Sequence, residues 1–114
     1  MTLKEVATMV RSIGYPYAYD HFTDSTGLEP PFVVFFYEYS PFYADSSNYS
    51  DIRTVNIELA TNNKDFTAES AVESVLNSYG LTWDKEESYI EEEQLYEVIY
   101  RADVVISEEA NNGE

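Results

Sequence analysis

Phe32–Tyr39 reads FVVFFYEY, eight residues in which β-branched and aromatic side chains fill both alternating sets. A strand with one wet face alternates apolar with polar, so this run predicts a strand covered on both sides by helices, another sheet or a neighbouring subunit. It is expected to be the central strand. Upstream, Asp24 to Pro31 collects Asp, Ser, Thr, Gly and two prolines, which is turn chemistry. Before that turn, Tyr15–Phe22 (YPYAYDHF) places Tyr15, Tyr17, Tyr19 and His21 on one side and Ala18, Asp20 and Phe22 on the other, the alternation of a first strand. Downstream, Ser40–Ser50 (SPFYADSSNYS) is a polar loop that also holds Phe42, Tyr43 and Tyr49. Aromatics in a loop of this length point to a contact element.

Helical spacing appears at both ends of this strand group. Leu3, Val6, Ala7, Val10 and Ile13 predict a helix over Thr2–Ile13, with Thr2 and Glu5 as a capping box and Gly14 and Pro16 as the stop. Ala68, Ala71, Val72, Val75, Leu76 and Tyr79 predict a second helix, N-capped by Thr67, with Glu69 in the first turn and Gly80 at the end. Between the helices, Ile52–Thr61 alternates, Val55, Ile57 and Leu59 one way and Thr54, Asn56 and Glu58 the other. After the second helix, Leu81–Tyr89 and Gln94–Ile106 read as two strands around the turn Glu91, Glu92, Glu93, with Tyr96, Val98, Tyr100, Ala102, Val104 and Ile106 on one face of the last. The order α-β-β-β-α-β-β predicts a single α+β domain over residues 1–106, a mainly antiparallel sheet with two helices packed on one face. Residues 107–114 form an acidic tail expected to fray.

Composition narrows the function. The chain has 114 residues, 22 Asp plus Glu against 6 Lys plus Arg, a formal charge of −16 and no cysteine. Direct nucleic-acid binding is not expected, because affinity for phosphate backbones comes from Lys and Arg. Disulfides, thiolate nucleophiles and Cys-bound zinc are excluded. No cationic stretch precedes an apolar run near Met1, so no secretory signal is expected, and Asn48-Tyr49-Ser50 is read as a chance match to a glycosylation acceptor. The longest apolar run, Phe32–Tyr37, has strand length, which predicts a soluble chain without membrane contact.

Reactive constellations are not evident. His21 has neither a second histidine nor a G-x-S-x-G elbow to work with and is expected to be satisfied by a neighbouring carboxylate. Asp84, Glu86, Glu87, Glu91, Glu92, Glu93 and Glu97 crowd the last hairpin without the ligand spacing of a calcium loop, and no glycine-rich phosphate cradle exists. A non-enzyme, without catalytic, metal or cofactor residues, is expected. The excess is in tyrosine, 11 in all beside 6 Phe and 1 Trp. Tyr17, Tyr19, Tyr37, Tyr39, Phe42, Tyr43 and Tyr49 are the candidate interface, since tyrosine buries a large ring and keeps a hydroxyl for the wet rim. The alternative is an aromatic ladder across a sheet.

Taken together, YPYAYDHF, PPFVVFFYEY, FYADSSNY, VNIELATNNKD, FTAESAVESVLNSYG and YIEEEQLYEVIY resemble, in this order, the small tail-terminator or tail-completion proteins of long-tailed bacteriophages, including tail-to-head joining proteins. The resemblance spans about residues 1–106. Its closest positions are Tyr17, Tyr19, His21, Pro31, Tyr37, Glu58, Leu59, Tyr96, Glu97 and Tyr100. It implies an α/β fold and a homo-oligomeric, commonly hexameric ring that caps the tail tube protein and faces the head connector proteins. The implied location is the virion, assembled in the host bacterial cytoplasm. At −16 per protomer such a ring needs screening, divalent cations or a basic partner face to form, and an acidic lumen would repel passing DNA. An acidic DNA mimic, occupying the DNA groove of a host nuclease or repressor, is the alternative function.

Overall fold

The computed structural model describes residues 1–39 and 51–107. Two helices and five strands run in the order α1 (Leu3–Arg11), β1 (Tyr17–Tyr19), β2 (Phe32–Tyr39), β3 (Asp51–Thr61), α2 (Phe66–Ser78), β4 (Trp83–Ile90) and β5 (Leu95–Ile106). The expected α+β order is therefore the observed one. The sheet order is β1-β2-β3-β5-β4; β1 runs parallel to β2 and the other three pairings are antiparallel.

Both helices cover the same face. Val33 and Phe35 of β2, Val55, Ile57 and Leu59 of β3, and Val98, Tyr100, Val104 and Ile106 of β5 meet Val6, Met9 and Val10 of α1 and Ala68, Val72 and Leu76 of α2 in one core. Register builds this layer: Val33 lies opposite Leu59 and Leu59 opposite Val98, while Phe35 lies opposite Ile57 and Ile57 opposite Tyr100. Period-two alternation thus delivers each strand's apolar set to one side at once.

Local chemistry fixes the helix ends. The Thr2 hydroxyl accepts the Glu5 N–H at 3.0 Å and the Glu5 carboxylate accepts the Thr2 N–H at 2.8 Å, the expected capping box. Gly14, at φ 101°, takes the left-handed turn that a Cβ would oppose. The N-cap of α2 is Asp65 rather than Thr67: its carboxylate accepts the Ala68 N–H at 3.0 Å, so the helix begins two residues earlier than the threonine implied.

Four further expectations change. The first strand is three residues rather than eight, because Pro16 carries no N–H and Asp20, at φ 68°, turns the chain out of the sheet. β2 is not the central strand; β3 is, with two strands on each side. Nor is β2 covered equally on both faces: Val33 and Phe35 are buried, but Phe32, Val34 and Phe36 on the other face are only half-buried. The tail does not fray at its first residue, since the Ser107 N–H donates to the Met1 carbonyl at 2.8 Å. Residues 108–114 lie outside the described residues. No helix among those described is long and apolar enough to cross a membrane.

Candidate functional site

Four of the candidate aromatics converge at the β1–β2 margin of the sheet. β1 pairs in register with β2, Tyr17 opposite Val33 and Tyr19 opposite Phe35, so both tyrosines share the helix-bearing face with Tyr37 and Tyr39. Tyr19 meets Phe35 edge-on at 5.3 Å between ring centroids and Tyr37 at 5.4 Å, and Phe35 meets Tyr37 edge-on at 6.1 Å. On β3, Arg53 lies opposite Tyr39 and places its guanidinium 4.9 Å from the Tyr39 ring centre and 5.6 Å from that of Tyr37. Cation–π contact makes one continuous surface of the pair.

This surface begins as a ladder and ends in solvent. Phe35 is buried and Tyr37 half-buried, whereas Tyr17, Tyr19 and Tyr39 are 38%, 51% and 72% exposed. The inner rings pack across strands, as the ladder reading expects, and the outer rings face water. Because β1 stops at Tyr19, no described strand pairs with the outer edge of β2 beyond Phe35. There the Tyr37 N–H reaches the Tyr19 hydroxyl at 3.5 Å, a long contact that a strand partner would replace with a shorter one. Phe42, Tyr43 and Tyr49 lie outside the described residues.

The opposite margin is ionic, a feature the sequence reading missed. Glu69 of α2 is buried, its side chain 4% exposed, and is reached by two lysines. Lys85 of β4 donates to its Oε1 at 2.8 Å and to Glu73 Oε2 at 2.7 Å. Lys64 Nζ donates to Oε1 at 3.1 Å and lies 2.9 Å from Oε2, which is satisfied by charge and not by a directed hydrogen bond. Lys64 also reaches Glu87 at 2.6 Å, the Tyr96 hydroxyl donates to Glu87, and the Tyr100 hydroxyl donates to Glu73 at 2.8 Å.

Three carboxylates and two ammonium groups thus tie α2 to β4 and β5. Burial alone would raise Glu73, but hydrogen bonds from Lys85 and Tyr100 hold it below its ordinary value; bonds from Lys64 and Tyr96 do the same for Glu87. Burial and the Glu73 bond raise the Tyr100 phenol, and the carboxylates raise both lysines. A signal was available: Glu69 and Glu73 are one helical turn apart, and Lys85 and Glu87 alternate on β4.

The remaining sequence candidates fall as follows. His21 Nδ1 is 2.9 Å from Asp20 Oδ2, both exposed, so the neighbouring carboxylate does satisfy it. Asp84 and Glu86 of the acidic hairpin flank Arg101, whose Nη2 donates to Glu86 at 3.1 Å. Glu91, Glu92 and Glu93 stay in solvent, and Glu97 sits half-buried on the uncovered sheet face. No group of three or more histidines or acids among the described residues could hold a metal ion. Compared with protein-family models, with curated proteins and with solved structures, the chain matches none.

Proposed function

We propose that this protein acts by docking, as a ring-forming component that closes the tail tube of a long-tailed phage and joins it to the head. The observation that carries the docking half of this reading is the aromatic shelf: Tyr17, Tyr19 and Tyr39 stand exposed on a rigid sheet, backed by Phe35 and Tyr37 and stiffened by Arg53. Tyr19, held by Phe35 and Tyr37, and Tyr39, held by Arg53, lose little side-chain freedom on binding, so their burial against a partner goes mostly into affinity. The phage assignment rests on the order of sequence features described above.

Electron microscopy of lysates from phage lacking this chain tests the reading. Tails of uncontrolled length, or finished tails unjoined to heads, are the expected result. Intact, fully joined particles would overturn it, and intact particles with poor growth only on restricting hosts would favour the DNA mimic instead.

A further inference from the structure

The sheet face turned away from the helices joins apolar side chains to two carboxylates, Glu58 and Glu97, that no cation among the described residues pairs with. In register across it, Val34 lies opposite Glu58 and Glu58 opposite Ile99; one step along, Phe32 lies opposite Ala60 and Ala60 opposite Glu97. Glu58 and Glu97 are diagonal neighbours on adjacent strands, about 7–8 Å apart in such an arrangement. Both are half-buried. Burial raises each carboxyl, reinforced by Glu97 and Asp20 at Glu58 and by Glu93 at Glu97. Like charges on a partly dried apolar surface are costly until a cation reaches them.

Four of the chain's six Lys and Arg side chains are already engaged, Arg101 among them on this same face, where it lies opposite Asn56 and is the other diagonal neighbour of Glu58. Lys64 and Lys85 hold the ionic network, Arg101 binds Glu86, and Arg53 lies over Tyr37 and Tyr39. That leaves Lys4 and Arg11, both exposed on α1 and neither in an ion pair among the described residues. With Thr8 they occupy positions i, i+4 and i+7, one stripe of the helix, about 10 Å from end to end at 1.5 Å per residue. Glu5 beside them is engaged by the Thr2 N–H. The stripe cannot reach the uncovered face of its own sheet, because α1 packs on the other side.

We infer that the uncovered sheet face receives α1 of a second copy of this chain, Lys4 and Arg11 answering Glu58 and Glu97 over Val34, Phe36 and Ile99. The aliphatic stems of the two cations cover the apolar side chains while their heads reach the carboxylates. The contact joins two different surfaces, so it repeats head to tail and closes as a ring if the rotation permits. It deepens the ring reading proposed above and rests on its self-association.

Charge exchange tests it. Sedimentation velocity is run on the wild type, a K4E/R11E variant, an E58K/E97K variant and an equimolar mixture, across a salt series, with circular dichroism confirming that each folds. The expected result is a wild-type oligomer, loss of at least ten-fold in association for either variant alone, and recovery in the mixture, where each altered face meets its complement. The milder K4Q/R11Q and E58Q/E97Q pairs serve where a reversal does not fold. Variants that associate as well as the wild type would overturn this interface while leaving the docking function standing. A wild type that stays monomeric throughout the series, and also with Mg²⁺ and with tail tubes present, would overturn the interface and the ring together, and tail morphology in phage carrying the variants separates that outcome from a failure of the tail-closing role.

Discussion

The two margins of one sheet solve opposite problems. At the α2–β4–β5 margin, polar groups are brought inward and satisfied: Glu69 is buried but met by Lys64 and Lys85, and the Tyr96 and Tyr100 hydroxyls spend their protons on Glu87 and Glu73. At the β1–β2 margin, apolar rings are carried outward and left uncovered, with Tyr39 and Tyr19 mostly in water. The first arrangement serves the monomer, because a buried carboxylate without partners costs several kcal/mol or neutralises. The second gives the monomer little, because rings left in water have not been transferred out of it. Tyrosine takes both parts, by its hydroxyl in one place and by its ring in the other.

Removing one ion from the network is the most damaging way to break this contrast. Lys85→Met leaves Glu73 with the Tyr100 hydroxyl but no cation and leaves Glu69 to Lys64 alone, and because Lys85 is about a third exposed the cost is about 2–3 kcal/mol, below that of a fully enclosed pair. Urea unfolding checks it. Next comes the cap that starts α2: Asp65→Ala loses the Ala68 N–H bond and about 1 kcal/mol, readable as a lower urea midpoint with unchanged slope.

The pH dependence has opposite signs at Glu73, inside the ionic network, and at Glu58, on the face of the central strand away from the helices. Glu73 is held low, so its contribution is complete above the ordinary carboxylate range and is lost as pH falls through its folded value. Glu58 is held high, so its contribution is complete below that range and is lost as pH rises through its folded value. Glu58→Gln is therefore expected to stabilise the isolated chain at neutral pH by less than about 1 kcal/mol, allowing for solvent screening, with the gain gone at low pH. Glu73→Gln should destabilise at neutral pH and converge on the wild type in acid; paired denaturation curves from about pH 3 to 7 read both.

The smallest effect on folding is expected at the aromatic margin. Tyr39→Ser should change monomer stability by no more than about 0.5 kcal/mol, yet reduce joining of tails to heads when carried in the phage. A large loss of stability there would erase the distinction between the two margins.

Much of the fold was legible because its signals are local. The helix stripes, the Thr2–Glu5 box and the alternation of Val55, Ile57 and Leu59 each lie within one segment. Tyr17, Tyr19, Tyr37 and Tyr39 were legible as candidates because tyrosine in alternation is conspicuous. The apolar run of β2 misled because apolarity reports what a strand can bury and not what neighbours arrive to cover it. Lys64 passed unnoticed because its partners, Glu69 and Glu87, come from a helix and a strand that meet only in the folded chain.

What the sequence alone determined is the set of elements, their order and the inward set of the helices, β3 and β5, since periodicity and capping act within a turn or a pleat. Tertiary structure alone decided that β1 joins parallel and ends after three residues, that β3 is central, and that Lys64 and Lys85 converge on Glu69. It also placed Glu58 and Glu97 on the sheet face away from the helices, where neither has an ion pair among the described residues. Charge pairing and coverage depend on which distant segments become neighbours, and that is fixed by the pairing of whole strands rather than by the residues of any one of them.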